Sequence, residues 1–377
     1  MIRTFIYYVF SLSLLVSCTG TETDLPEDTS GDSEEKEALS IQTLSFPEET
    51  KAIYEETGND ESSNPNHLGA IGVLVTKGSG TVDYYSDSNH TQTFTCSVSG
   101  EDKTWSTTTV LYLGDTEGAV YAWAPSTATG ELNNNSPKIP VLKSPVILAE
   151  QTFAYNNQWK TNQVDYLYGT NAEKSTPKVS RQQSSVVLSM QHALSKISFK
   201  VMKGKEQTVT TEDYVKKVEL TSNNAFVTAA SPATEVTMQL TDGTLKGTST
   251  TGTLTLTATT GTSEQGQIAT WTEGGSGGTA DFSSVTPQAY GLVAPVSNIS
   301  LTGVKVTLGT TGALANDNDH TYSTVSGNSI SVTWEKGKHY IYTMTVTDRG
   351  LEFGSVEVAD WESSGDPVTV PVEYLIN

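Results

Sequence analysis

The chain has few cysteines, few basic residues and no long hydrophobic run. Its 377 residues include two cysteines, and 22 Lys and Arg stand against 43 Asp and Glu, which gives a formal net charge of −21. A surface this negative repels phosphate backbones, so nucleic acid is not expected as a partner. The longest apolar run, Phe5–Val16, is shorter than the roughly 20 residues that a helix needs to cross a bilayer.

Motifs for catalysis and metal binding are missing as well. None of the five histidines has a His or Cys partner at metal-ligand spacing, and no Gly-x-Ser-x-Gly, His-Glu-x-x-His or phosphate-loop motif occurs. His192 directly precedes a strand pattern, where a structural histidine is expected rather than a catalytic base. The sequence therefore predicts no catalytic residue, no metal site and no cofactor, and we do not expect an enzyme.

The N-terminus has the form of a secretory signal, with Arg3 first, then a short apolar stretch, then small residues. The stretch "LVSC" at 15–18 resembles the bacterial lipobox. It predicts removal of residues 1–17 and acylation of Cys18, palmitate included, which would anchor the chain at a membrane without a transmembrane helix. An ordinary signal peptide with an incidental cysteine is the alternative.

Removal of 17 of the 377 residues leaves 360 residues with a net charge of about −22, because Arg3 is lost. Cys96 is then the only cysteine without lipid, which excludes an intramolecular disulfide. Since it lies in the strand-like stretch "TFTCSVSG", we expect a buried, inert thiol rather than a reactive one.

The remaining chain is longer than one ordinary domain, and its patterns are those of β-strands. We predict an all-β fold, with an acidic tether at 18–37, an N-terminal β-sandwich at 38–185 and a C-terminal β-sandwich at 186–377. Alternation predicts that the apolar members of three strands each share one face. These are Leu254, Leu256 and Ala258; Ile330, Val332 and Trp334; and Tyr340, Tyr342, Met344 and Val346.

A short strand is predicted where the acidic tether ends. Leu39, Ile41, Leu44 and Phe46 nearly alternate, and the extra residue in the spacing predicts a bulge between Ile41 and Leu44. A polar, loop-like segment that contains Lys51 follows.

The C-terminus "DPVTVPVEYLIN" alternates strictly, with Val368, Val370, Val372, Tyr374 and Ile376 on one side. Pro371 within the run confines it to an edge, because proline lacks the ladder N–H. The run is either the final edge strand of the second domain or an extended arm, residues 366–377, that adds to the sheet of a neighbouring chain.

Taken together, the order and spacing of several loose motifs resemble the fimbrillin family, the lipoprotein precursors of type V pilins in Gram-negative anaerobes. The resemblance spans most of residues 18–377. It rests on the lipobox at Cys18, "ETKA" at 49–52, "IGVLV" at 71–75, "VYAWAPS" at 120–126, "VDYLYG" at 164–169, "MQHALSKISFKV" at 190–201, "WEKGKHYIYTMTV" at 334–346 and "VEVADWESSG" at 356–365.

This resemblance implies two transthyretin-like domains and an assembly mechanism. An extracellular trypsin-like protease cuts the surface-exposed lipoprotein after a basic residue that follows the first strand. The removed strand leaves a groove, which the C-terminal arm of another subunit fills, so that a head-to-tail fibre grows and contributes to adhesion. Here the removable strand matches Leu39, Ile41, Leu44 and Phe46, and the donor arm matches Val368, Val370, Val372, Tyr374 and Ile376.

The processing site departs from the family pattern. The family cut usually follows Arg, but residues 19–180 contain none, and Lys51 before Ala52 holds the matching place, with Lys36 a poorer candidate. The chain is therefore cut by a Lys-tolerant protease, or it stays uncut as an anchor or accessory component. A surface lipoprotein that binds a host or bacterial glycan or protein without polymerising is the alternative function.

Overall fold

The computed structural model describes most of the chain after the predicted tether. Described residues are 36–45, 68–78, 83–86, 88–99, 102–155, 161–205, 207–228, 236–247, 250–259, 266–274, 278–310, 319–324, 328–361, 368–371 and 374–376. Within these ranges the chain forms β-strands and no α-helix, which confirms the predicted all-β class. The same ranges contain no helix long and apolar enough to span a membrane.

The described residues form thirty strands. In the first half they are β1 Glu37–Ala38, β2 Ser40–Ser45, β3 Ala70–Lys77, β4 Thr91–Ser99, β5 Asp102–Ser106, β6 Tyr112–Leu113, β7 Gly118–Ala124, β8 Gly130–Leu132, β9 Pro140–Lys143, β10 Glu150–Phe153, β11 Leu167–Thr170, β12 Lys178–Val179, β13 Ser185–His192, β14 Ser195–Lys203 and β15 Tyr214–Ser222. In the second half they are β16 Val227–Thr228, β17 Thr237–Gln239, β18 Leu245–Lys246, β19 Thr250–Thr251, β20 Thr253–Ala258, β21 Glu273–Gly274, β22 Thr279–Ala280, β23 Ala289–Val293, β24 Val296–Gly309, β25 His320–Ser323, β26 Asn328–Trp334, β27 Lys338–Thr347, β28 Gly350–Asp360, β29 Val368–Pro371 and β30 Tyr374–Ile376.

An eight-stranded sheet carries the N-terminal strands in the order β2-β13-β11-β7-β3-β4-β5, with β12 beside β7. Its two edge strands, β2 and β5, come into contact, so the sheet curls into a near-barrel. The interior is filled by an apolar group, here called the barrel cluster. Its larger members are Leu39, Ile41, Ile71, Val73, Val75, Phe94, Leu111, Leu113, Val120, Val186, Leu188 and Met190.

The central strands of the near-barrel are buried on both faces because two different apolar groups cover them. In β7, Val120 and Ala122 point into the barrel cluster, whereas Tyr121 and Trp123 join the main core on the other face. This is the period-2 alternation of a strand, with every position apolar. The continuous apolar run "GAVYAWA" is the sequence signal for that environment.

A five-stranded sheet and a seven-stranded sheet pack together over the main core. Their orders are β23-β14-β27-β28-β29 and β10-β20-β15-β24-β26-β30, with β25 beside β24. The predicted shared faces are confirmed, since Leu254, Ile330, Trp334 and Tyr342 are buried in that core. The indole Nε1 of Trp334 donates to the Tyr342 hydroxyl over 2.7 Å, so the polar ends of both rings are paired inside the core.

Several pairings connect parts of the chain that lie far apart in sequence. Strand β13 pairs with β2 and β11 in the near-barrel, β10 pairs in parallel with β20, and β9 pairs with β17. The described residues after Glu35 form one compact unit. The division into two domains at 185/186 stays a prediction.

The one cysteine within the described residues, Cys96, lies in β4 opposite Trp105. The expected strand is confirmed, but the thiol is half-buried rather than buried. Burial raises the pKa of this thiol more than Lys103 lowers it. The reactive thiolate is therefore disfavoured at neutral pH, as an inert cysteine requires.

Candidate strand-exchange site

The predicted removable strand corresponds to β2, at one edge of the near-barrel. Leu39 just before it and Ile41 within it are buried, with 4% and 5% of their surface exposed, and Leu44 is half-buried against the same cluster. The predicted bulge is confirmed: Val186 pairs with Ile41 but Val187 pairs with Thr43, so Gln42 is the extra residue. Phe46 lies outside the described residues.

Few backbone bonds hold β2 in place. Among the described residues it forms a ladder with β13 alone, in parallel, over Ser40–Ser45. Near its start the Leu39 amide donates to the Leu111 carbonyl and the Ser40 amide to the Ser184 carbonyl, both over 2.9 Å. Its other side contacts β5 without a described ladder. Release of the segment therefore requires the loss of the ladder to β13, the two bonds near the start of β2 and the two-residue pairing of β1 with β6.

Removal of β2 would open a groove that is apolar inside and has an unpaired edge. Strand β13 would lose its parallel partner, which leaves main-chain groups free for a new strand. Val186 and Leu188 of β13 point into the barrel cluster, whereas the alternate residue Val187 is 44% exposed. The vacated space would therefore accept a strand with apolar side chains at alternate positions.

In the single chain, the predicted donor arm forms two edge strands. Strand β29 pairs antiparallel with β28, from Val368 opposite Val358 to Pro371 opposite Ser355. Strand β30 pairs antiparallel with β26, with Tyr374 opposite Ile330. Both strands lie at the ends of their sheets, which for β29 is the position that Pro371 requires.

The structure therefore places Val368 and Val370 in β29 and Tyr374 and Ile376 in β30, at the edges of two different sheets. The donor-arm role of these residues stays a prediction. Val372, the lipidation position Cys18 and the processing position Lys51–Ala52 all lie outside the described residues.

A buried pair of ionisable side chains, which the sequence did not reveal, lies where β13 ends. The ring nitrogen Nδ1 of His192 is 2.8 Å from a carboxylate oxygen of Asp165, and both side chains are almost fully enclosed. Burial raises the pKa of Asp165, and His192 and Lys196 partly oppose that shift. The His192 ring stacks on Trp361 at 3.9 Å, a packing that agrees with the structural role expected for His192.

No metal centre was found: the described residues contain no group of three or more His, Cys, Asp or Glu side chains that could hold an ion.

Comparisons with known proteins identify relatives of this fold. A family model described as fimbrillin-like matches residues 62–361. A putative cell adhesion protein from Bacteroides ovatus, solved as a crystal structure, is similar with a TM-score of 0.50 and 17% identity, over 88% of this chain and 100% of that one.

Two further crystal structures are similar. A putative cell adhesion protein from Bacteroides uniformis has a TM-score of 0.48 and 17% identity, over 88% of this chain and 99% of that one. A fimbrial protein from Bacteroides vulgatus has a TM-score of 0.47 and 13% identity, over 87% of this chain and 100% of that one. No curated protein sequence matches the chain significantly.

Proposed function

The chain belongs to the fimbrillin-like family, and on that premise we propose that it is a subunit or accessory component of surface fimbriae, assembled by strand exchange and contributing to adhesion. The family is one of fimbrial proteins rather than enzymes, so a role in a cell-surface appendage follows from it. The proposal is carried by one observation: β2 inserts buried side chains into the near-barrel but is held by a single edge ladder.

The exchange proceeds by replacement of one edge strand with another. Release of β2 exposes the apolar groove and the free edge of β13. The C-terminal arm of a second subunit leaves the edges of its own sheets and occupies that groove, where it forms main-chain bonds and inserts alternate side chains. The contact joins two different surfaces of the chain, so it does not close and a filament grows.

Processing controls when exchange begins. The chain is exported as a lipoprotein acylated at Cys18, and a Lys-tolerant extracellular protease cuts between Lys51 and Ala52. The cut separates β2 and the lipid from the rest of the chain. An uncut chain keeps both, and it would serve as an anchor or as a tip or accessory component at the outer membrane.

Digestion of the full chain with a Lys-specific protease tests the proposal. We expect a product that begins at Ala52 and then forms polymers, measured by mass spectrometry and sedimentation velocity. The variant Lys51→Gln should stay monomeric, whereas the matched variant Lys77→Gln, at an exposed strand end, should polymerise like the parent chain.

Deletion of residues 366–377 tests assembly independently of proteolytic cutting. The shortened chain should fold and be cut at Lys51 but remain monomeric, because the donor arm is gone. Polymers from the deleted chain, or equal polymerisation of cut and uncut parent chains, would overturn the strand-exchange proposal.

A further inference from the structure

A groove with a volume of about 730 Å³ lies on the outer face of the five-stranded sheet, away from β2. The other face of this sheet is part of the main core, where Phe199, Tyr342 and Met344 are buried. Because residues alternate along a strand, their neighbours point outward. The groove floor is formed by Thr343, Thr345, Glu352 and Ser355.

One side of the groove is apolar and aromatic. Trp271, Ala280 and Phe282 line it, and together with Met202 of the sheet they form a small separate apolar cluster. The segment that carries them is fixed by backbone bonds: the Lys203 amide donates to the Ala269 carbonyl over 2.9 Å. The wall is therefore held against the sheet before any ligand arrives.

Two loops that line the groove are linked by hydrogen bonds. The side-chain amide of Gln207 donates to the Asp348 carboxylate, and its carbonyl oxygen accepts from the Gly204 amide over 3.1 Å. The lining contains two cations, Lys205 and Arg349, and two anions, Asp348 and Glu352. These charges balance, so the groove does not favour a strongly charged ligand.

Trp271 offers the face of its ring, and not its N–H, to a molecule in the groove. The indole Nε1 is buried and has no hydrogen-bond partner within the described residues. Because this nitrogen is enclosed by protein, an atom in the groove does not reach it. The half-buried ring lines the groove, so its apolar surface is what a ligand can contact.

We propose that this groove binds a neutral oligosaccharide. A sugar ring has an apolar C–H face that suits the Trp271 and Phe282 side, and its hydroxyls can bond to Thr345 and Ser355. The volume lies in the range of about 300 to 1,000 Å³ typical of ligand sites. A peptide strand fits less well, because strand addition needs an open sheet edge and this groove crosses a sheet face.

Binding at this groove does not depend on polymerisation, so it can be tested on the uncut full chain. Isothermal titration with maltohexaose, cellohexaose, mannohexaose, xylohexaose and laminarihexaose should give saturable binding to at least one of them. Trp271→Ala should weaken that binding by about tenfold or more, because the stacking surface of the ring is lost. The matched variant Trp105→Ala, in β5 of the near-barrel, should bind like the parent.

A second variant pair covers the case in which Trp271→Ala fails to fold, which a urea midpoint would reveal. Thr345→Val keeps the side-chain shape and should weaken binding by about threefold, whereas Thr95→Val on β4 should not. The proposal is overturned if the folded chain binds none of the five sugars saturably, or if it binds heparin alone. Equal binding by the parent, Thr345→Val and a folded Trp271→Ala would also overturn it.

Discussion

Strands β2 and β27 both insert buried side chains into the fold and both pair in parallel with a neighbour, but they are held to very different extents. Strand β27 lies inside its sheet, with a parallel ladder to β14 and an antiparallel ladder to β28. Strand β2 lies at an edge and has a ladder to β13 alone. In the strand-exchange proposal, the number of ladders rather than the burial of side chains alone decides how easily a strand leaves its sheet.

The largest loss of stability should come from a substitution in β27, the strand that has a ladder on both sides. Met344 of β27 is fully buried, and Met344→Ala leaves a cavity that should lower the free energy of unfolding by about 2 to 5 kcal/mol. Urea unfolding measures it. The control Val187→Ala, at an exposed position of β13, should change that free energy by about 0.5 kcal/mol or less.

Substitutions in the central strands of the near-barrel should be almost as destabilising. A Cβ at Gly72 of β3 would lie 2.1 Å from Cε2 of the buried Trp123 ring, so Gly72→Ala should cost about 3 kcal/mol through overpacking. In the matched variant Gly303→Ala, the new Cβ lies 3.8 Å from its nearest neighbour, Thr221. If the two variants unfold at the same urea concentration, the packing around the Trp123 ring is looser than these distances indicate.

A smaller and more local effect is expected in β2. Ile41→Ala should cost about 2 kcal/mol, and most of this should appear as detachment of the strand rather than as global unfolding. Hydrogen exchange should accelerate at the amides of Ser40–Ser45 and stay unchanged in β27. The control Gln42→Ala, at the exposed bulge residue, should leave both rates unchanged.

The smallest loss of stability, and one that depends on pH, is expected from a substitution of Asp213, which directly precedes β15. Burial raises the pKa of Asp213, but hydrogen bonds from Lys203 and Thr210 outweigh burial and hold that pKa below its ordinary value. The stabilisation is therefore present at neutral pH and is lost as the pH falls through the lowered pKa.

Asp213→Asn should accordingly lower the free energy of unfolding by about 1 to 2 kcal/mol at pH 7. The difference from the parent should shrink in acid, as followed by urea midpoints against pH. A difference that grows in acid would contradict the assignment. Asp83→Asn, which breaks only the exposed pair with Lys138, should have almost no effect at any pH.

Sequence patterns predicted those features of the fold that depend on residues close together in the chain. The shared faces of β20, β26 and β27 follow from alternation, and the bulge at Gln42 follows from one extra residue in the spacing. Patterns could not predict which distant strands pair, such as β2 with β13 or β10 with β20, because that choice depends on contacts over the whole fold. For the same reason nothing in "ATWTEGG" marked Trp271 as part of a groove.

The most direct test of strand exchange asks where the donor arm lies after assembly. A photo-crosslinking residue at Tyr374 in a mixture of isotopically light and heavy chains would report its neighbours by mass spectrometry. In the uncut monomer, crosslinks should reach β26 of the same chain, where Tyr374 pairs with Ile330. After cutting and assembly, the account predicts crosslinks to β13 of a different chain. Polymers that retain only the crosslink to β26 of the same chain would contradict it.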